Sequence, residues 1–158
     1  MKKSKPITFV HEPTDLQCGQ AVLAMATGLE VEAVAEELNN RRETNLKEMK
    51  RFLQRHGVWI SDERKPVQCR EELPQECILS LETPRCWHWS LYSCGVFYDP
   101  EHGVMEDFPD SSRRYFWEIR RDGATDHSER EESFTGCRQQ IKIRKNFLQL
   151  TIDKQCFF

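Results

Sequence analysis

The chain has 158 residues, enough for one globular domain with its own core and too few to expect a second. Apolar residues make up 38% and charged residues 31%, so the core is modest and the surface heavily solvated. Its 23 basic and 26 acidic residues give a net charge of -3, without the positive excess that holds a nucleic-acid backbone, and no apolar run is long enough to span a bilayer. Neither nucleic acid nor membrane is therefore expected as a partner.

The first ten residues carry lysines but no signal-like apolar stretch. This predicts a cytoplasmic protein, or an effector exported by a route that needs no such signal. Seven cysteines (Cys18, Cys69, Cys77, Cys86, Cys94, Cys137 and Cys156) are an odd number, which argues against a disulfide framework.

Small and apolar residues fill Ala21 to Ala26, and Gly28 follows where a helix would stop, predicting a buried helix that begins at Cys18. Val31, Val34, Ala35 and Leu38 recur at helical spacing, and so do Leu46, Met49, Phe52 and Leu53. Asn45 and Glu48 fit a capping box at the start of that third helix. Residues 1–57 thus read as the helical part.

After Gly57 the pattern changes to short β-rich runs between Pro, Gly and charge clusters: Val58 to Ile60, Cys77 to Leu81, Trp89 to Tyr92, Val96 to Tyr98 and Tyr115 to Ile119. Residues 58–119 are expected to form an antiparallel sheet. The almost wholly polar stretch 120–140 reads as a loop, and Leu148, Leu150 and Ile152 as a strand within 141–158. The expectation is one α+β domain, with N-terminal helices packed on an antiparallel sheet.

Cys18 stands at the first turn of its helix, where backbone N–H groups and the helix dipole favour a thiolate. An Ala-rich neighbourhood equally suits a packed core cysteine. A nucleophilic cysteine needs a base, and the base needs an orienting group. Between Trp89 to Tyr92 and Val96 to Tyr98, Cys94-Gly95 can form a two-residue hairpin turn. Ser93 then faces Val96, Leu91 faces Tyr98 and Ser90 faces Asp99. His88 shares a face with Ser90, so it lies diagonally from Asp99, roughly 7–8 Å away at the backbone.

That hairpin brings imidazole and carboxylate together, either as a catalytic pair or as a buried structural one. Trp89, Leu91, Val96 and Tyr98 occupy the opposite face as a packing surface. His11, His56, His102 and His127 lack such an orienting strand and read as surface or capping residues. Cys69, Cys77, Cys86 and Cys94 recur at nearly even intervals, but not at the two-to-four-residue spacing of structural zinc ligands. No metal site is expected from them.

Three segments, in order, carry a resemblance: Asp15-Leu-Gln-Cys-Gly-Gln-Ala-Val-Leu-Ala-Met25 with Thr44 after it, then His88-Trp-Ser-Leu-Tyr92, then Val96-Phe-Tyr-Asp-Pro100. Together they resemble the bacterial papain-like cysteine peptidases related to the double-glycine leader peptidases of bacteriocin exporters, over roughly Glu12 to Pro100. The resemblance implies a papain-like fold with Cys18 as nucleophile, His88 as general base and acid, and Asp99 as the group that orients the imidazole. It implies hydrolysis of a peptide or isopeptide amide through an acyl-thioester, a protein or peptide substrate, and no metal or organic cofactor.

One position departs from the family pattern. Where the family commonly has Gln six residues before the cysteine, helping to hold the oxyanion, this chain has Glu12. An ionised carboxylate repels an oxyanion. Glu12 is then protonated, or Gln17 or Gln20 supplies the donor, or catalysis is weak. The same triad also serves glutamine deamidation or transamidation. A peptidase-like scaffold that acts only by binding a partner is the alternative from another class.

Overall fold

The computed structural model describes residues 5–121. The strand expected within 141–158 and all but the first two residues of the expected loop 120–140 lie outside the described residues.

Three helices open the chain: α1 (Cys18–Thr27), α2 (Val31–Leu38) and α3 (Leu46–Arg55). Helix α1 is buried from Cys18 to Ala26, which explains why, Gln20 apart, small and apolar residues run through it with no amphipathic stripe. It ends at Gly28, whose φ of 78° is open to glycine at no steric cost and whose N–H closes on the Ala24 carbonyl. Helix α3 starts with the expected capping box: Asn45 accepts from the Glu48 N–H, and the Glu48 carboxylate accepts from the Asn45 N–H. Its buried side is Met49, Phe52 and Leu53. No single helix among the described residues is long and apolar enough to cross a membrane.

Seven strands follow: β1 (Trp59–Ile60), β2 (Lys65–Pro66), β3 (Glu76–Glu82), β4 (Trp87–Ser93), β5 (Val96–Asp99), β6 (Gly103–Met105) and β7 (Arg114–Arg120). They run in the order β1-β7-β3-β4-β5-β6, every pairing antiparallel, with β2 sharing the β7 edge beside β1. Mixed helix and antiparallel sheet is the architecture expected of an α+β chain. Strands β2 and β6 were not expected: each is two or three residues long, and Pro66 and Gly103 within them read as loop residues.

The sheet is covered on both faces. Ile78, Leu91, Trp117 and Ile119 pack under the helices with Val22, Leu23, Val34, Phe52 and Leu53, and Trp89 and Tyr98 border this layer. Cys77, Leu79, Leu81, Tyr92, Phe97 and Phe116 form a second layer with Val67, closed at its edge by Leu73, Met105 and Phe108. Full burial of such a side chain contributes about 1.5–3 kcal/mol, so the two layers together hold β3, β4 and β7 as the rigid centre of the molecule. Double-sided burial is also why Cys77-Ile-Leu-Ser-Leu81 reads as a nearly continuous apolar run without clean alternation.

Candidate active site

The site is built from the β4–β5 hairpin outward. Cys94 and Gly95 take φ of 47° and 88°, the left-handed pair that a two-residue turn between twisted strands requires. The register is then Ser93 opposite Val96 and Leu91 opposite Tyr98, as the sequence predicts. His88, Ser90 and Asp99 are buried. His88 Nε2 lies 2.9 Å from Asp99 Oδ1, closing the diagonal that parity requires.

The β4–β5 ladder ends at the Leu91–Tyr98 pair, so the first half of β4 has no partner on that side. The start of α1 occupies this space. The Trp89 N–H donates to Cys18 Sγ at 3.5 Å, and the sulfur lies within 4.8 Å of a His88 ring nitrogen. With Nε2 held by Asp99, Nδ1 is the ring nitrogen left for the thiol. The segment before α1 is fixed in the same gap, because the Glu12 N–H donates to the Pro100 carbonyl at 3.0 Å, one residue beyond Asp99. One carboxyl oxygen of Glu12, Cys18 Sγ and one ring nitrogen of His88 consequently lie within 4.8 Å of one another.

Thr44 fixes α1 against β4. Gly19 approaches it so closely that an added Cβ would stand 1.7 Å from Thr44 Oγ1. The Thr44 hydroxyl also points to Met49 Sδ at 3.5 Å, and its carbonyl accepts from the Trp89 indole N–H at 3.0 Å. The glycine after Cys18 is therefore a packing requirement: one threonine touches the cysteine helix, α3 and the histidine strand.

Burial works against charge on His88, but its bonds to Asp99 and Cys18 outweigh it and raise the imidazole to about 10. Burial likewise works against the Asp99 carboxylate, and the His88 and His102 bonds overcome it and hold the group at about 2. The two form a buried ion pair. Asp99 Oδ1 accepts from four donors in all: His88 Nε2, His102 Nδ1 and the backbone N–H groups of Glu101 and His102. Burial, together with the charges of Glu101 and Asp99, raises Glu12 against the opposing pull of His88 and His11.

The structure thus brings together Cys18, His88, Asp99 and Glu12. It does not bring Gln20 to them: that side chain is fully buried on another face of α1, and its amide donates to the carbonyls of Asn40 and Arg42 at 2.9 and 2.8 Å. Gln17 precedes Cys18 as the residue capping α1, with its side-chain oxygen accepting from the Thr14 hydroxyl at 3.2 Å.

His102, read from the sequence as a surface or capping residue, is bonded directly to the carboxylate that holds His88. The signal for it was local, since an aspartate that accepts N–H groups two and three residues ahead folds the chain back over itself and carries the side chain at the third position with it. Glu12–Cys18–His88 and His88–Asp99–His102 each have donor atoms close enough to hold a metal ion. Cys69, Cys77, Cys86 and Cys94 form no such cluster among the described residues.

No protein-family model matches the chain, and neither does any curated protein.

Proposed function

We propose that the chain is a cysteine hydrolase of papain-like architecture, cleaving a peptide or isopeptide amide. What supports the reading most is one observation: a cysteine at a helix start, a histidine and an aspartate, from three separate elements, stand in series, the sulfur within 4.8 Å of an imidazole nitrogen and the ring bonded to the carboxylate at 2.9 Å. In the proposed reaction the Cys18 proton already rests on His88, and the thiolate sulfur attacks the amide carbonyl carbon. The carbonyl electron pair moves to oxygen and returns as the C–N bond breaks, while His88 passes the proton to the leaving amine. Water, deprotonated by His88, then releases the acyl group from sulfur. Asp99 holds the ring in the tautomer and orientation that each transfer needs. The chemistry requires Cys18 as a free thiol, which fits a reducing cytoplasm. Deamidation or transamidation of glutamine proceeds through the same thioester and differs only in which amide enters and what resolves it.

The test is the rate at which iodoacetamide labels Cys18 at pH 6, read on its own tryptic peptide by mass spectrometry, in the native chain and in His88→Ala. A thiol of ordinary acidity is roughly 0.3% ionised at that pH, so loss of the imidazole should slow labelling roughly ten- to a hundredfold. Equal labelling of both proteins would end the enzyme reading. The binding-protein reading rests on Glu12 and on a Cys18 only 8% exposed. It requires a Cys18→Ala protein to keep its full biological effect. A stoichiometric metal in the purified protein would favour a third arrangement, in which Glu12, Cys18 and His88 are ligands.

A further inference from the structure

Glu12 is held beside the sulfur and the imidazole. Its backbone is tied to Pro100, its residue surface is 7% exposed, and one carboxyl oxygen stands within 4.8 Å of both the attacking sulfur and the imidazole. Its Oε2 is buried and has no hydrogen-bond partner. Buried polar atoms nearly always have one, so an unpartnered carboxyl oxygen in a site of this kind points to a partner that arrives with the substrate.

We propose, resting on the cysteine-hydrolase reading above, that Glu12 works as a carboxylic acid whose O–H donates to the oxyanion, so that ionisation of Glu12 switches acyl transfer off. The groups that face it decide its charge. His88 from β4 and the neighbouring His11 favour the carboxylate. Asp99 at the end of β5, Glu101 in the turn after it, and a thiolate at Cys18 on α1 favour the acid, as does burial. Arg85, paired with both Asp15 and Glu101, offsets part of the Glu101 charge. The balance moves Glu12 toward the acid, since burial and the two carboxylates outweigh the two histidines and raise it.

Gln20 has no donor to spare, since it gives both amide hydrogens to Asn40 and Arg42, and Gln17 accepts from the Thr14 hydroxyl through its side-chain oxygen. The N–H groups of the first turn of α1, including that of Cys18 itself, are further donors. With Glu12 neutral the oxyanion has a side-chain donor opposite these N–H groups. With Glu12 ionised it meets a negative charge.

The experiment compares two electrophiles at Cys18. Iodoacetamide alkylates sulfur by displacing iodide and forms no tetrahedral oxyanion. p-Nitrophenyl acetate acylates it: the C–S bond forms, the carbonyl electron pair moves to oxygen, and its return expels p-nitrophenolate. The ratio of the acylation rate, corrected by a Cys18→Ala protein, to the alkylation rate therefore reports the oxyanion site separately from thiol reactivity.

In the native chain this ratio should fall by about 10²–10³ as pH rises through the ionisation of Glu12, the usual cost of one lost oxyanion donor. In Glu12→Gln, which keeps a donor without a titrating proton, it should stay level across the same range. In Glu12→Ala it should be low throughout. A ratio that is level with pH in the native chain, or that falls equally in Glu12→Gln, overturns the proposal while leaving Cys18 a nucleophile. Alkylation of Cys18 unaffected by His88→Ala overturns the hydrolase reading and this proposal with it.

Discussion

Asp99 Oδ1 accepts from four donors while Oδ2, also buried, has no partner. Such one-sided use makes the charge, more than the shape, the property that matters. Asp99→Asn keeps an oxygen for the Glu101 and His102 N–H groups but gives His88 no anion to face. It should cost about 1.5–3 kcal/mol, the range for hydrogen bonds to charged groups, measured as a shift in urea midpoint. It should also slow iodoacetamide labelling of Cys18 at pH 6 at least about tenfold, because the imidazole no longer holds its proton as firmly. A stability loss with unchanged labelling would make the pair purely structural. The pairing of His88 with Asp99 was legible in the sequence because strand parity is a local property, whereas the place of Cys18 beside them, 70 positions before His88, came only from the resemblance. Glu12 was visible as a departure from a pattern, but its unpartnered oxygen follows from a bond to Pro100, 88 positions along the chain, and no local pattern encodes that.

The elements that carry these residues were legible to different degrees, for physical reasons. Helices α2 and α3 keep a helical period, α1 is a continuous run of small and apolar residues closed by Gly28, and Cys94-Gly95 is a turn whose chemistry allows two positive φ values in succession. Strands β2 and β6 have no such pattern, being too short for alternation to register. The dependence of α1 on Thr44 is equally invisible to periodicity. It makes a direct prediction: Gly19→Ala forces a Cβ into Thr44 Oγ1 and must separate α1 from the loop before α3. Overpacking of this kind costs about 1–3 kcal/mol. The displacement should slow Cys18 labelling as well, since the Trp89 N–H and His88 reach the sulfur only in the present position. Thr44→Gly removes every atom of the clash, so the double variant should lose less stability than the sum of its two single variants by about 0.5–3 kcal/mol. Additive losses would show that Thr44 does not set the position of α1.

At the scale of the whole molecule, the sheet order could not be read in advance: β7 enters between β1 and β3 although it comes last among the described strands, and pairing at such separation leaves no local mark. Its consequence is that the ion pair of the site lies inside the fold, so that site and stability titrate together. Asp99, ordinarily 3.8, is held at about 2, so its contribution is complete above 3.8 and is lost as pH falls through about 2. His88, ordinarily 6.5, is raised to about 10, so its contribution is complete below 6.5 and is lost as pH rises through about 10. The two shifts describe one pair and count once. Glu12 and Cys77, both raised by burial, stay neutral in the fold where the unfolded chain would ionise them, and each withdraws stability as pH climbs past 4.5 and 9.0 respectively. Urea midpoints measured from about pH 2 to 10 should therefore be highest on the acid side of neutrality and fall on both flanks. Asp99→Asn should flatten the acid flank and much of the alkaline one, leaving the shallower decline due to Glu12 and Cys77; a variant profile parallel to the native one would remove the pair from the account. The most stable range then overlaps the range in which Glu12 keeps its proton, which is the form that the proposed acyl transfer requires.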